Sequence, residues 1–208
     1  DVDRSAPLNP SEIFPFPLDD FQLEAMDALN RGHSVVVSAP TGSGKTLIGE
    51  YAIHRAMAHG QKVFYTTPLK ALSNQKLRDF RDQFGAENVG LMTGDLSVNR
   101  KASIVVMTTE IFRNMLYAEA DEHDDPLVDV EAVVLDECHY MNDSQRGTVW
   151  EESIIHCPPS VQLVALSATV ANAGQLTDWI EKVHGPTTLV LSDYRPVPLQ
   201  FSFCSAKG

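Results

Sequence analysis

Residues 34–46 read Ser-Val-Val-Val-Ser-Ala-Pro-Thr-Gly-Ser-Gly-Lys-Thr, and the rest of the chain is best understood from this stretch outward. The apolar, β-branched run at 34–38 predicts a buried strand. A glycine-rich turn follows and leads into residues 46–59, which contain no proline and stop at Gly60, as an α-helix would. A strand, a glycine-rich loop and a helix in this order predict a phosphate loop.

The residue types in the loop suit a bound nucleoside triphosphate. Gly42 and Gly44 allow successive backbone N–H groups to face one anion, and the helix N-terminus adds partial positive charge. Lys45 supplies a cation for the β and γ phosphates, and Thr46 supplies a hydroxyl for Mg²⁺. The general motif opens with Gly where this chain has Ala39, and a glycine turn that precedes Lys-Thr by chance is the alternative. The predicted nucleotide-binding residues of the loop are Thr41, Gly42, Ser43, Gly44, Lys45 and Thr46.

A second candidate site follows the apolar run at 132–135, where the sequence continues Asp136-Glu137-Cys138-His139. Open α/β sheets bind their ligands at the carboxyl ends of strands. One carboxylate there would hold Mg²⁺ through water, and the next would orient the attacking water. The alternatives are a chance pair of surface acids and, for His139, a structural hydrogen bond.

The remaining sequence alternates short apolar runs with helical patterns, which predicts an α/β fold with a parallel sheet covered by helices on both faces. The predicted strands are 34–38, 62–66, 88–92, 104–107, 132–135, 162–166 and 188–191. The predicted helices are 22–29, 46–59, 69–84, 110–117, 144–156 and a last one that starts at a capping Asn172 and stops at Gly185. No repeat or Gly/Ser linker divides the chain, so we expect one domain.

Several finer expectations concern the ends of the chain and the core faces of two helices. Prolines 7, 10, 15 and 17 predict a non-helical N-terminal approach, and residues 194–200 read as an extended exit segment. The core-facing side chains expected on the first and last helices are Leu23, Met26 and Leu29, and Leu176, Trp179, Ile180 and Val183.

Composition and charge exclude some classes of protein. The 208 residues are 43% hydrophobic and carry 16 Lys and Arg against 28 Asp and Glu, for a net charge of −12. This balance argues against a nucleic-acid binder that works through bulk positive charge, while it leaves room for a groove with local contacts. No run of about 18 apolar residues is present, so no membrane span is predicted. The three cysteines are widely spaced, without a CxxC pair, and predict neither a disulfide framework nor a zinc site.

Taken together, these motifs resemble the DExH class of superfamily 2 helicases. The segments that carry the resemblance are Phe14–Gln22, Thr66–Gln75, Thr93–Asp95, Thr108–Glu110, Asp136–Met141, Arg146–Glu152, Ser167–Thr169 and Tyr194–Pro196. The sequences of these segments are similar to those of the Ski-like branch, whose members unwind and remodel RNA, and in particular to those of its plastid and cyanobacterial members. The resemblance spans Phe14 to Gln200.

The resemblance implies the first of two RecA-like domains of an ATP-dependent RNA helicase that uses ATP and Mg²⁺. It implies catalytic roles for Lys45, Asp136, Glu137 and His139, and metal binding by Thr46 and Asp136. Adenine would be recognised by Gln22 with Phe14 or Phe16 stacking nearby. Ser167 and Thr169 would couple the nucleotide state to domain movement. The residues implied to lie along the nucleic-acid backbone are Pro68, Lys70, Gly94, Thr109 and Glu110.

It also implies a division into residues 1–21 with the adenine motif, a RecA-like domain at 22–193, and residues 194–208 leading toward a second RecA-like domain. We expect a monomer that binds single-stranded RNA between the two domains, with an RNA-processing complex as a further partner and no membrane. The compartment would be the cytoplasm in a bacterium or the chloroplast stroma in a plant. Because the second domain supplies arginines that reach the γ-phosphate, the isolated 208 residues should hydrolyse ATP barely.

Three alternatives stay open at this point. A DNA helicase of the same superfamily is one, because contacts to the backbone discriminate poorly between nucleic acids. A nucleotide-gated RNA clamp without unwinding is the second, and a small-molecule kinase is the third. From the residues alone, Thr66–Lys70 is better explained as a helix cap than as a phosphate site, and the cations Lys70, Lys76, Arg78 and Arg81 as a solvated helix face.

Overall fold

The computed structural model describes residues 7–117, 125–139 and 147–192, and the strands in these ranges form one eight-stranded sheet. The strand order is β4-β3-β5-β2-β6-β7-β1-β8, and every pairing is parallel except the one between β3 and β4. The strands are β1 (Ser34–Ser38), β2 (Lys62–Thr67), β3 (Val89–Met92), β4 (Ser97–Val98), β5 (Ile104–Thr108), β6 (Val130–Leu135), β7 (Gln162–Ser167) and β8 (Thr187–Leu191).

Helices cover both faces of this sheet. They are α1 (Pro10–Ile13), α2 (Asp20–Asn30), α3 (Thr46–Ala58), α4 (Lys70–Phe84), α5 (Thr109–Tyr117), α6 (Gly147–His156) and α7 (Ala173–Val183). One core is formed with α2, α3 and α4, whose buried residues include Met26, Ile48 and Phe80. The other is formed with α5, α6 and α7, which contribute Phe112 and Ile154 among others. The predicted α/β fold with two covered faces is therefore confirmed.

The strands are apolar along their whole length because both of their faces are buried. In β1, Val35 and Val37 belong to the first core and Val36 to the second. Successive side chains of a strand point to opposite faces, so a strand between two helical layers needs apolar residues at every position. This explains why the apolar runs marked the central strands so clearly in the sequence.

Some sequence expectations about local structure are wrong. Residues Pro10–Ile13 form a short helix, because proline is favoured in the first turn and the Asn9 side chain accepts a hydrogen bond from the Ser11 N–H. The short strand β4 was not predicted, and Asn88 ends a 3-10 turn before β3 begins. Leu23 and Val183 are exposed, at 39% and 37%, so neither belongs to the core.

Asn172 occupies the cap position of α7, yet its side chain makes no capping hydrogen bond. The expected helix at 144–156 is seen from Gly147, and residues 144–146 lie outside the described ranges, as does the exit segment 194–200. No helix in the described part of the chain is long and apolar enough to cross a membrane.

The strand order sorts the loops at the carboxyl edge of the sheet into two groups. The loops after β1, β6 and β7 lie side by side, and they carry the phosphate loop, the acidic motif and Ser167–Thr169. The loops after β2, β3 and β5 form the other group, and they carry the segments that resemble strand-contacting motifs.

Candidate functional site

The phosphate loop runs from Ala39 to Lys45 between β1 and α3. Gly42 and Gly44 have φ angles of +81° and +86°, a left-handed conformation in which other residues are strained. The Lys45 side chain is 7% exposed, and its Nζ donates to the backbone oxygen of Ala39 at 3.2 Å. The lysine therefore lies along the inside of its own loop.

Ser43 supplies a further observation about what this loop can hold. Its Oγ is buried and has no hydrogen-bond partner among the residues that the structure describes. A buried hydroxyl without a partner is costly, and a buried lysine without a carboxylate partner is unusual. Both groups suit an anion with several oxygens, as the terminal phosphates of a nucleotide would be. The residues of the loop thus fit the predicted ligand.

Gln22 connects the N-terminal segment to this loop. Its Nε2 donates to the Gly44 oxygen at 2.9 Å, while its Oε1 accepts from the Asp19 N–H at 2.8 Å as part of a capping box at the start of α2. The glutamine is 4% exposed, so its position is fixed by these contacts. The predicted adenine motif is therefore anchored on the phosphate loop.

Of the two candidate stacking rings, the structure makes only one accessible. Phe16 is 48% exposed. Phe14 is 6% exposed and packs in the core against His54, with ring centroids 5.9 Å apart. A ring that is covered in this way has no free face for a base, so the assignment of Phe14 to nucleotide binding does not fit the structure.

The acidic motif places a buried carboxylate beside the loop. Asp136 is 4% exposed and lies at the end of β6, where its Oδ1 accepts from the Glu137 N–H at 2.9 Å. Its Oδ2 accepts from the Tyr65 hydroxyl at 2.6 Å and lies 3.9 Å from the Lys76 Nζ. Glu137 has a φ of +54°, a conformation that costs a non-glycine residue free energy and is found most often at functional sites.

These groups suit Mg²⁺ held jointly with a nucleotide. Magnesium is usually bound by one or two carboxylates together with substrate phosphates and waters. Asp136 and the Thr46 hydroxyl are groups of that kind. No cluster of three or more His, Cys, Asp or Glu that would hold a metal by itself occurs in the described ranges, and such a cluster is not needed when phosphates complete the shell.

His139 joins the acidic motif to the segment after β7. Its Nδ1 accepts from the Ala168 N–H at 3.1 Å, and its Nε2 lies 3.1 Å from Glu137 Oε2. An Nδ1 that accepts leaves the proton of a neutral imidazole on Nε2, the nitrogen that faces Glu137. His139 thus contacts the backbone of Ala168, which lies between the two residues, Ser167 and Thr169, for which the resemblance implies a coupling role.

The segment after β7 is also tied to the start of the phosphate loop. The Ala39 N–H donates to the Ser167 oxygen at 3.1 Å, and the Val170 N–H donates to Ser38 Oγ at 3.2 Å. Ser167 is buried, whereas Thr169 is exposed. Phosphate loop, acidic motif and coupling segment thus form one connected set of hydrogen bonds.

Protonation states in this region follow from burial. Burial and the neighbouring Asp136 carboxylate raise the pKa of Tyr65 well above its usual value, so the hydroxyl stays a donor. Burial also raises the pKa of Glu50, against the opposing effects of Gln83 and Lys76. Burial raises the pKa of the Cys138 thiol to about 12, so this cysteine is an unreactive packing residue.

The predicted nucleic-acid residues lie on the other group of loops, and they differ in accessibility. Lys70 and Gly94 are exposed, and Pro68 is half-buried. Lys70 is paired with Asp95 across the loops after β2 and β3. Thr109 is 5% exposed, and its hydroxyl donates to the Thr67 oxygen at 3.3 Å, so the side chain serves to join two loops.

Glu110 follows Thr109 in the first turn of α5 and is exposed. An exposed carboxylate repels phosphate, so a backbone contact at this position would have to come from the N–H groups of the helix start. The predicted side-chain cap of α4 is absent, since Leu69 occupies the cap position and Thr67 hydrogen-bonds to Leu69 and Ser73 instead.

Sequence reasoning missed two residues of the site. Tyr65 lies inside β2 and looks like an ordinary core residue, and Lys76 lies within a charged helix that was interpreted as a solvated face. A tyrosine within a strand expected to be buried on both faces needs a partner for its hydroxyl, and this was the one signal that the sequence offered.

A strand that runs into this loop, a helix that starts at Thr46, and an acidic strand end beside them define a phosphate-loop nucleotide-binding domain. Comparison with known proteins gives the family. The chain belongs to the DEAD/DEAH box helicase family, whose model matches residues 19–176.

Relatives with known names agree with this assignment. Over 193 residues, 92% of the chain, it is 58% identical to a chloroplastic DExH-box ATP-dependent RNA helicase of Arabidopsis thaliana. Over 200 residues, 96% of the chain, it is 48% identical to the antiviral helicase SKI2 of Saccharomyces cerevisiae. The resemblance to Ski-like DExH helicases is confirmed.

A solved structure, that of the Mycobacterium smegmatis helicase Lhr bound to single-stranded DNA and AMP-PNP, is similar with a TM-score of 0.68 and 27% identity over 88% of the chain. The chain spans 16% of the Arabidopsis protein, 15% of the yeast protein and 26% of the mycobacterial chain. The predicted RecA-like fold is confirmed.

Proposed function

We propose that this chain is the ATP-binding lobe of an ATP-dependent RNA helicase, which couples ATP hydrolysis to the unwinding or remodelling of RNA. The observation that carries the proposal is the path of polar contacts from Glu137 through His139 to Ala168, beside the phosphate loop. This path connects Glu137, which is suited to position the attacking water, with Ser167–Thr169, the segment suited to respond to the nucleotide state. The name of the Arabidopsis relative supports RNA as the substrate.

In the proposed mechanism, the loop holds the terminal phosphates of ATP. The Lys45 ammonium leaves the Ala39 oxygen and turns to the β and γ phosphates, while the buried Ser43 hydroxyl gains the acceptor it lacks. Thr46 and Asp136 would hold Mg²⁺, which offsets negative charge on the phosphate oxygens when bound. Gln22 fixes the adenine-binding segment relative to the loop, and Phe16 offers the accessible ring.

Glu137 would orient the attacking water. Its Oε2 lies 3.1 Å from His139 Nε2, and this contact favours one orientation of the carboxylate. When the γ-phosphate leaves, a shift in the position of the Glu137 carboxylate would move His139 and, through its hydrogen bond, the backbone of Ala168. Ser167 and Thr169, on either side of Ala168, are placed to carry that change toward a second domain.

The nucleic-acid strand would run over the loops after β2, β3 and β5. Lys70, Gly94 and the N-terminus of α5 are accessible there, and helix N-termini and glycine backbones bind phosphates well. The strand would not use the Thr109 hydroxyl, which is occupied. DNA is the second candidate substrate, because a similar solved helicase holds single-stranded DNA.

The wider architecture is part of the same proposal. Residues 1–21 would form the adenine segment, residues 22–193 the RecA-like lobe, and residues 194–208 the path to a second RecA-like domain. The curated relatives are several times longer than this chain, which leaves room for that domain. The parent protein would act as a monomeric motor within an RNA-processing assembly. In a plant it would work in the chloroplast stroma, as the name of the Arabidopsis relative suggests, and in a bacterium in the cytoplasm.

ATP hydrolysis by the parent protein, extended through its second domain, tests this proposal. The assay compares single-stranded RNA with DNA of the same sequence, in the natural protein and in Lys45→Ala and Glu137→Gln variants. We expect stimulation by RNA, loss of hydrolysis in both variants, and retained nucleotide binding in Glu137→Gln. Lys101→Ala, an exposed charge at the opposite edge of the sheet, is the matched control.

Equal stimulation by DNA would favour a DNA helicase. Stimulation by neither nucleic acid, with RNA still bound in the presence of ATP, would favour a nucleotide-gated clamp. Hydrolysis that survives Lys45→Ala would refute the assignment of the site itself.

A further inference from the structure

Asp136 is contacted by two residues that the proposed mechanism does not use. Its Oδ2 accepts from the Tyr65 hydroxyl at 2.6 Å and lies 3.9 Å from Lys76 Nζ. The Lys76 side chain is 22% exposed, and its ammonium lies 5.6 Å from the ring centre of Tyr65 and 5.8 Å from that of Phe80. Two aromatic faces and a carboxylate therefore hold this ammonium close to the proposed metal ligand.

Lys76 lies in a region that is rich in carboxyl groups. Asp136 is 4% exposed, and Glu50 and Glu137 add carboxyl groups to the same region. Lys76 is the one Lys or Arg within 4.0 Å of the Asp136 carboxylate in the described part of the chain. A buried carboxylate without a nearby cation is strongly unfavourable. Lys76 thus compensates Asp136 when no metal ion is bound.

We propose that Lys76 is the counter-ion of Asp136 and competes electrostatically with Mg²⁺ for this carboxylate. The inference rests on the proposed function, in which Asp136 holds the metal, and it adds a device that sets how tightly the metal is held. A bound divalent cation and a fixed ammonium beside the same carboxylate repel each other. The lysine therefore stabilises the nucleotide-free protein and lowers the affinity of the protein for Mg²⁺·nucleotide.

This arrangement favours turnover. Asp136 without a counter-ion would bind Mg²⁺·ADP tightly and release it slowly, since most differences in affinity between related complexes lie in the rate of dissociation. A lysine that takes over the carboxylate as the metal leaves lowers the free energy of the emptied site. Tyr65, by contrast, is neutral and holds the same oxygen without opposing the metal.

The test compares Lys76→Met with Lys76→Arg in thermal melting and in Mg²⁺ titrations at a fixed concentration of ADP. In EDTA, Lys76→Met should melt several degrees lower than the natural chain, because Asp136 loses its counter-ion. In the titration, the same variant should reach half-maximal stabilisation at about three- to tenfold less Mg²⁺. Lys76→Arg keeps the charge and should match the natural chain in both measurements.

Lys182→Met, which removes an exposed lysine of α7, controls for the change in net charge. Lys45→Ala defines the signal expected when nucleotide is not bound. Tyr65→Phe removes the hydrogen bond and leaves the charge, so a shift in Mg²⁺ dependence equal to that of Lys76→Met would show that orientation and not charge controls the metal, and would overturn the inference.

An unchanged or increased requirement for Mg²⁺ in Lys76→Met would also overturn it, while leaving the proposed function intact. If Mg²⁺·ADP stabilises neither the natural chain nor any variant, the nucleotide site itself is absent and both proposals fall together.

Discussion

Replacement of Gly44 by alanine tests how the adenine segment and the phosphate loop are joined. Gly44 has a φ of +86°, and a Cβ at this position would lie 2.7 Å from Gln22 Nε2. Gly42 has nearly the same φ, +81°, yet no atom of the described part of the chain lies within 4 Å of the position of its Cβ. The two glycines form a matched pair, with the same backbone strain and only one side-chain collision.

The magnitudes follow from these contacts. An alanine at positive φ costs about 1–2 kcal/mol at either position. At Gly44 the end of the Gln22 side chain must also move, and its hydrogen bond to the Gly44 oxygen is lost, which costs about 1 kcal/mol more. We therefore expect Gly42→Ala to lower the free energy of unfolding by about 1–2 kcal/mol and Gly44→Ala by about 2–3 kcal/mol.

Urea denaturation followed by tryptophan fluorescence measures both values, and a double-mutant cycle isolates the collision. In a Gln22→Ala background, the cost of Gly44→Ala should fall to that of Gly42→Ala, while the cost of Gly42→Ala itself should not change. Equal costs for the two glycines in the natural chain, or an undiminished cost of Gly44→Ala without Gln22, would refute the contact between the two segments.

Two further predictions concern charge. Asp95→Asn should free Lys70 and strengthen binding of single-stranded RNA at low salt by about two- to fivefold, since the exposed ion pair contributes little to stability by itself. Fluorescence anisotropy measures this affinity, with Glu181→Gln as the control. An unchanged affinity would show that Lys70 does not face the RNA strand. His184 is buried, neither of its ring nitrogens is hydrogen-bonded within the described ranges, and burial lowers the pKa of its imidazole. The unfolded chain therefore takes up the proton more readily, and the free energy of unfolding should fall as the pH drops below about 6.5, the ordinary value for histidine. Urea midpoints at pH 8 and pH 5.5 should differ less in His184→Leu than in the natural chain. An identical pH dependence in the two proteins would show that His184 is not the source of the loss of stability at low pH.

The central strands and the phosphate loop were predictable because each is encoded by neighbouring residues. A run such as Val35-Val36-Val37 is apolar throughout because both faces of the sheet are covered, and Gly42 and Gly44 mark the left-handed turns of the loop. Peripheral elements were less predictable. Pro10 starts a helix where prolines predicted extended chain, and β4 is only two residues long.

The contacts that complete the site were beyond sequence reasoning because they join distant parts of the chain. Tyr65 and Asp136 are 71 residues apart, and nothing near either residue indicates that they meet. The backbone N–H of Ala168, which binds His139, leaves no signature in residue type. Phe14 and Phe16 are chemically alike, and only the fold shows which ring is covered.

The sheet order also sets the distance between the phosphate loop, which follows β1, and the loop after β2. Strands β2 and β1 are separated by β6 and β7, so three parallel pairings, at about 4.8 Å each, place their carboxyl ends about 14 Å apart. This exceeds the Debye length of about 8 Å at physiological salt. Phosphates bound at the two places would hardly sense each other's charge through water. Any dependence of one ligand on the other would then rely mainly on the bonded framework of strands and loops, and should persist when salt is raised.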